Sequence, residues 1–268
     1  MSIVAGVDEA GFGSLISRVY TAITVLPDDF MKHAETEKIV IRDSKKMSKL
    51  QREKARKFIE QNAIDYNVQF ESHDEIDRIG ILNATMNCMN RSVDKLYIPI
   101  DKLYVDGNFY RNHRDDIPYE CVVRGDDCIP EIACSSILAK THRDEYIQNL
   151  YANHETELRP YGIETNMGYG TKVHMEALNI YKSTPIHRRT FSPVKKEMPT
   201  IKWLRENDRI PWMCEKLAAL YLMENNFEIK KINHKNFSDD GLNIFAISPD
   251  NQIVLFKVIQ KSFAGDKE

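Results

Sequence analysis

Three short apolar runs in the chain stop at carboxylates. Residues 3–7 are followed by Asp8-Glu9, 103–105 by Asp106, and 120–123 by Gly125-Asp126. Val- and Ile-rich runs of this length, bounded by turn residues, read as strands buried on both faces, with their ends at the rim of a sheet. Acids gathered at such a rim repel one another and raise one another's pKa unless a cation joins them. An all-oxygen donor set suits Mg2+ or Mn2+, and two such ions can hold a phosphodiester and activate water. The pattern alone does not make the three strands neighbours, and each acid also fits an ordinary strand-end turn.

Around these runs the chain alternates strand and helix. Residues 19–26 and 68–71 read as further strands. Helices are expected over 48–61, with Leu50, Ala55, Phe58 and Ile59 as its apolar face, over 84–96, and over 130–151. Met86, Met89, Val93 and Leu96 recur at helical spacing, where methionine fills core. Residues 161–171 read as a Gly-containing loop followed by a helix to Tyr181, and 185–189 as loop again. A composition break at 193–200 separates a domain of residues 1–198 from a small α/β tail, 199–268. The tail carries a helix over 211–225 and strand signals at 229–232, 242–247 and 253–259, the last two joined by a turn at 249–252.

The 268 residues are 42% hydrophobic and 29% charged, enough apolar material for a core and too much for a disordered chain. A net charge of −3 excludes a globally basic nucleic-acid coat but not a locally basic groove. No apolar stretch approaches the ~20 residues of a membrane span, and Met1 to Glu9 lacks the basic start of a signal peptide. Five cysteines without a Cys-x-x-Cys pair argue against a disulfide framework or zinc site. The expectation is reduced, mostly buried thiols in a cytoplasmic protein.

Several local patterns need weighing. Gly11-Phe12-Gly13 lacks the third glycine of a dinucleotide fingerprint, because position 16 is Ile; it reads as a turn, or as backbone that a ligand approaches closely. His142-Arg143-Asp144 with Asn149 matches a kinase catalytic loop by coincidence, since it lies in a helical stretch without the other kinase motifs. Lys45, Lys46, Lys49, Arg52 and Lys54, and again His187, Arg188, Arg189, Lys195 and Lys196, form basic runs that are either solvated faces or a grip on a sugar-phosphate backbone. Tyr169, between Gly168 and Gly170, either stacks on a base or sugar or packs half-buried. His174 and His187 read as hydrogen-bonded structural histidines.

Gly6-Val7-Asp8-Glu9-Ala10-Gly11-Phe12-Gly13 resembles the opening motif of the ribonuclease HII family, the type 2 ribonucleases H. The similarity continues in order through Asp43-Ser44-Lys45-Lys46 with Ser48, then 81–85, then Val105-Asp106-Gly107-Asn108 and Arg124-Gly125-Asp126. It goes on through Ser136-Ile137-Leu138-Ala139-Lys140 with Arg143-Asp144, Gly168-Tyr169-Gly170-Thr171 with His174, and 184–189, so that it spans about residues 1–198. The resemblance implies an α/β ribonuclease H fold, a mixed five-stranded sheet flanked by helices, to which the small C-terminal α/β appendage is added. It implies an endonuclease that hydrolyses RNA in RNA–DNA hybrids and at single ribonucleotides in duplex DNA, leaving 3′-OH and 5′-phosphate. The nucleic acid would be its partner, Mg2+ or Mn2+ its cofactor, and neither a membrane nor a small-molecule cofactor would be involved. By matched position Asp8, Glu9, Asp106 and Asp126 are the catalytic, metal-binding acids. Gly11, Phe12 and Gly13 would read the ribose 2′-OH with backbone groups, Tyr169 would pack on the neighbouring sugar, and Lys45 and Ser136 complete the substrate-binding set.

The chain departs from the family pattern in several places. Phe12 replaces an Arg between the two glycines, Ser14-Leu15-Ile16-Ser17-Arg18 replaces Pro-Leu-Ala-Gly-Pro, Asn166-Met167 replaces His-Lys, and Gly80 replaces an Asn. All four acids remain, so the resemblance implies intact metal chemistry with altered substrate preference or affinity. Two rivals stay open: a drifted binding module that holds nucleic acid without cutting, and a DNA-only nuclease of the same fold, such as a junction resolvase. The tail resembles the YraN family, a small restriction-endonuclease-like domain, through Glu215, Leu217-Ala218, Tyr221-Leu222, Asn233, Gly241 and 253–258. At the positions of that family's metal site stand Asn243, Lys257 and Ile259, which cannot perform its chemistry. The other reading of the tail is an unrelated packing extension.

Overall fold

The computed structural model describes residues 2–207, 214–215, 218–219, 221–223, 225–237 and 242–258. The chain begins with β1 (Val4–Ala10), β2 (Val19–Val25), α1 (Phe30–Thr36), α2 (Lys49–Asn62) and β3 (Asp65–Glu71). It continues through α3 (His73–Ile79), α4 (Ile81–Asp94), β4 (Lys102–Asp106), β5 (Tyr119–Val122) and α5 (Pro130–Asn153). The short helices α6 (Glu155–Leu158) and α7 (Ile163–Asn166), then α8 (Lys172–Tyr181) and α9 (Ser192–Lys196), follow.

β1 takes the middle of a five-stranded sheet of order β3-β2-β1-β4-β5. It runs antiparallel to β2, from Ala5 opposite Val25 to Ala10 opposite Tyr20, and parallel to β4, from Val4 with Lys102 to Val7 with Val105. β5 is parallel to β4, and β3 antiparallel to β2. This is the mixed, helix-flanked sheet expected from the resemblance. The period of two along a strand explains both cores. Ala5, Val7, Ile23, Val25, Leu103 and Val105 meet Met86, Met89 and Val93 of α4 on one face. Ala10 and Ala22 meet Ala55, Phe58 and Ile59 of α2 and Cys134, Ile137 and Leu138 of α5 on the other. Each large apolar side chain buried there contributes roughly 1.5–3 kcal/mol.

Two local features fix the helices behind the sheet. Ser48 opens α2 with a capping box, its Oγ accepting from Gln51 N while Gln51 Oε1 accepts from Ser48 N. Pro130 sits in the first turn of α5, where no amide is needed. α5 crosses β1 so closely that a Cβ on Gly6 would lie 2.4 Å from Ile132 N. Ser135 Oγ donates to Gly6 O at 2.7 Å, so the same crossing places Ser136 beneath the end of β1.

The structure corrects several expectations. β1 extends through Asp8 and Glu9 to Ala10, because β2 continues the ladder beside them. α1 and α3 were not foreseen: each is 7 residues long and too short for a periodic apolar stripe, α3 burying only Ile76. Leu50 is 62% exposed, outside the buried face of α2. The 161–171 loop contains α7, and α9 occupies the composition break. The cysteines are unpaired as expected, but only Cys88 and Cys134 are buried; Cys121 and Cys214 are partly buried and Cys128 is exposed.

Two compact units separate, one of Met1–Lys182 with Ile186–Glu197, the other of Ser183–Pro185 with the chain from Met198 onward. The second contains α10 (Ile201–Glu206) and an antiparallel sheet, β6 (Glu228–Phe237), β7 (Leu242–Ile247) and β8 (Ile253–Phe256), in that order. β7 and β8 join through the expected turn, with Asn251 at φ 64° and Ser248 N donating to Gln252 O. Ala219, Leu222, Ile244 and Ala246 form its buried cluster. Of the helix expected over 211–225, residues 214–215, 218–219 and 221–223 are helical, while 211–213, 216–217, 220 and 224, like Ile259, lie outside the described residues. Among the described residues no helix is long and apolar enough to cross a membrane.

Candidate active site

The acids come together because β1 and β4 are adjacent and parallel. Asp106 stands one residue past the last β1–β4 pair, level with Asp8, and the β4 and β5 ends bring Asp126 to the same edge. Asp126 belongs to a 3-10 turn, Gly125–Asp127, rather than to a strand end, and that turn is entered through Arg124 at φ 57°. Asp8 and Asp126 are buried. Asp8 Oδ1 accepts from Glu9 N at 2.7 Å, and Asp106 Oδ1 accepts from Gly125 N at 2.8 Å.

The electrostatics follow from that crowding. Burial, then the charges of Glu9 and Asp106, hold the Asp8 carboxyl well above its ordinary range. Burial first and Asp106 as well raise Glu9 and Asp126. Lys45 faces the group from the Ser44–Lys46 turn, which Asp43 caps through Lys45 N at 2.8 Å. Burial works against the Lys45 charge, but Asp8, Asp126, Asp43 and Glu9 outweigh it and raise its pKa. The Ser136 hydroxyl lies 3.0 Å from Ser44 Oγ and works against the rise in the Asp8 pKa. One lysine against this many acids leaves negative charge that a proton or a divalent cation would relieve, and the donors are the hard oxygens such a cation takes. The donor chemistry therefore fits the implied metal. Among the described residues, however, no three His, Cys, Asp or Glu side chains are gathered tightly enough to hold an ion as they stand.

Beside the acids two loops meet. Gly11, at φ +93°, turns the chain out of β1, and a Cβ there would lie 2.3 Å from Arg143 Nε. Phe12 is exposed, and a Cβ on Gly13 would meet nothing within 4 Å. Leu15 N donates to Gly168 O at 2.9 Å, tying this turn to the Tyr169 loop. Tyr169 is half-buried, its ring 4.8 Å from the Arg143 guanidinium carbon and 5.5 Å from Lys140 Nζ. All six substrate-binding candidates, Gly11, Phe12, Gly13, Lys45, Ser136 and Tyr169, thus lie on this one edge or in the two loops that border it.

The basic runs do not behave as one surface. Arg188 and His187 are fully buried, and Arg189 pairs with Asp77 at 3.0 Å. Lys46 pairs with Asp127 and Asp43, and Arg52 donates to Ser44 O and Met47 O. His174 and His187 are structural, as read: both are buried, with 3.0 Å between their Nε2 atoms and 3.0 Å from His174 Nδ1 to Tyr169 O. Sequence reasoning missed Arg143 and Arg188 as the buried supports of both loops, since a run of cations reads as solvated. No sequence signal separates them from their exposed neighbours. A cavity of about 750 Å3 lies between α2 and α5 rather than over the acids; Tyr169 lines it, along with Arg56 and Lys140.

A mixed sheet of this order, with carboxylates on two adjacent parallel strands, is that of the ribonuclease H fold. The sequence model described as Ribonuclease HII matches residues 5–194. A ribonuclease HII of Neisseria meningitidis serogroup B is 42% identical over 72% of this chain and 94% of its own. One from Hydrogenovibrio crunogenus is 42% identical over 72% of this chain and 86% of its own. The crystal structure of the ribonuclease H2 from Pyrococcus horikoshii superposes with a TM-score of 0.61 at 25% identity, covering 73% of this chain and 96% of that one. The chain belongs to the ribonuclease HII family. It is accordingly a ribonuclease H, an endonuclease of RNA–DNA hybrids.

Proposed function

We propose that residues 1–198 are the catalytic domain and cut both RNA in hybrids and the 5′ side of a single ribonucleotide in duplex DNA. The observation that carries this reading is the meeting of Asp8, Glu9, Asp106 and Asp126 at the edge bordered by the Gly11–Gly13 turn and Tyr169. The four acids would hold Mg2+ or Mn2+. When bound, such ions supply activation of the attacking water and neutralisation of the charge that develops on the phosphate. Lys45 favours the ionised forms of Glu9 and Asp126, against the burial that raises both, and offers a cation to a phosphate oxygen. The amides of the Gly11–Gly13 turn donate to the 2′-OH, the group that separates RNA from DNA. Tyr169 packs on the adjoining sugar. Water attacks phosphorus and the 3′ oxygen leaves, giving a 3′-OH and a 5′-phosphate. Asn243, Lys257 and Ile259 leave the tail without metal chemistry.

The test is an end-labelled duplex with one embedded ribonucleotide, incubated with Mg2+, with Mn2+ and with chelator. Metal-dependent cutting at the ribonucleotide is expected, and none of the all-DNA duplex. Binding without cutting in every condition identifies a drifted binding module. Equal cutting of the all-DNA duplex identifies a DNA nuclease.

A further inference from the structure

The Gly11–Gly13 turn is held by its carbonyls. Ser14 N donates to Gly11 O at 3.2 Å, and Arg188 Nη1 donates to Phe12 O at 2.9 Å. In a planar trans peptide the C=O and N–H point in opposite directions. The amides of Phe12 and Gly13 therefore point away from these partners, and among the described residues neither has a hydrogen-bond acceptor. Phe12 is exposed and the space beside Gly13 is open, so two adjacent donors stand ready on the outer side of the turn.

Arg188 spends its whole guanidinium on this segment. Nε donates to Ser17 O and Nη2 to Arg18 O, both at 2.9 Å. It is 0% exposed, and among the described residues no carboxylate lies within 4.0 Å of it. Burial, and Arg143 nearby, pull its pKa down to about 9. An unpaired buried cation is costly, and a site that only needed filling would be served by Leu or Met. What the arginine supplies and an apolar side chain cannot is the simultaneous aim of three carbonyls between Phe12 and Arg18.

We propose that Arg188 is a positioning residue, which fixes the Phe12–Gly13 peptide so that the Phe12 and Gly13 amides are presented together to the 2′-OH at the cut site. This rests on the ribonuclease HII reading of the turn given above. A deoxynucleotide lacks the acceptor for those amides, so Arg188, without touching substrate, would set the preference for ribose.

The test uses the full chain with Arg188→Lys, Arg188→Met and Gly13→Pro, the last removing one of the two amides. kcat/KM is measured on the single-ribonucleotide duplex. An all-DNA duplex of the same sequence serves as competitive inhibitor, its Ki reporting contacts to the phosphates. Folded Arg188 variants are expected to lose about tenfold or more in kcat/KM, the scale of one hydrogen bond to substrate. Ki and its salt dependence should stay at wild-type values, because Arg188 reaches no ligand. Arg188→Lys combined with Gly13→Pro should lose less than the product of the two single losses, since both disturb the Gly13 amide. A merely structural role would lower the active fraction, leave KM unchanged and make the losses multiply; that outcome, or wild-type kcat/KM in Arg188→Lys, overturns the inference. Should both Arg188 variants fail to fold, an unaltered kcat/KM in Gly13→Pro overturns it instead. A wild-type chain that does not separate ribose from deoxyribose overturns the functional reading itself, before any variant is compared.

Discussion

At the scale of the residue, the acids were legible and the arginines were not. A carboxylate at the end of a Val- and Ile-rich run is conspicuous against the apolar residues that precede it. Arg143 and Arg188 look in sequence like their exposed neighbours, and only the fold shows both at 0% exposure. The same contrast shapes two predictions. Asp8→Asn and Asp106→Asn each remove a charge with little change of shape, so cleavage should fall by more than about a hundredfold while folding and duplex binding remain. Asp144→Asn is the control: Asp144 holds Lys140 at 2.9 Å and approaches buried Arg143 at 3.4 Å. It should lower the unfolding midpoint, by roughly 1–3 kcal/mol of stability, more than it slows cleavage. Near-wild-type cleavage in both acid variants removes the metal assignment. Phe12 is the second case, since its exposed ring stands where the family places a cation. Phe12→Arg should tighten duplex binding and steepen its salt dependence by up to one phosphate contact, a slope change of about 0.9. An unchanged slope in a salt titration would show that position 12 points away from the backbone.

At the scale of the element, strands and helices with a continuous apolar face were readable, and short elements defined by tertiary pairing were not. α4 buries Met86, Met89 and Val93 at the expected spacing, whereas β1 gains Asp8 to Ala10 only because β2 lies alongside. Gly80, where the family has Asn, sits at φ +83° between α3 and α4, a junction invisible without α3. The loop that carries Tyr169 shows how such elements respond to pH. Burial lowers the His174 pKa, against a hydrogen bond to Tyr169 O that raises it. The folded chain therefore favours neutral His174, while the unfolded chain takes up a proton below its ordinary value of about 6.5. The resulting stability is present above that pH and is lost as pH falls through and below it, by at most about 1.4 kcal/mol per pH unit. His174→Gln, which cannot protonate, should be less stable than wild type at pH 7.5. The gap between the two urea midpoints should narrow as pH falls to 5.5; a gap that widens would place a protonated His174 in the fold.

At the scale of the whole molecule, the ordered motifs made the first 198 residues legible as one sheet, because motifs far apart in sequence lie on that sheet or in the helices and loops packed against it. The tail offered no such convergence. Its strand signals at 229–232 and 242–247 match the cores of β6 and β7, yet nothing in the pattern says what its sheet is for. The relatives help here by their length: 94% of the Neisseria chain is matched within 72% of this one, so the tail has no counterpart there. The cleaving part should then stand without it. The first unit ends at Glu197, whose Oε2 lies 2.5 Å from Lys182 Nζ, so a chain ending after Glu197 keeps that pair while one ending after Lys196 loses it. Both ion-pair partners are partly exposed, and the difference between the two truncations should be no more than about 1 kcal/mol of stability. The chain ending after Glu197 should cut the single-ribonucleotide duplex at the same bond as the full chain, with weaker duplex binding if the tail contributes phosphate contacts. That contribution would appear as a lower salt slope for the truncated chain in an anisotropy titration. A truncated, folded chain that cuts elsewhere or not at all would make the tail part of the active site, and cleavage by the isolated tail would overturn the expectation that a tail with Asn243, Lys257 and Ile259 at those positions has no chemistry of its own.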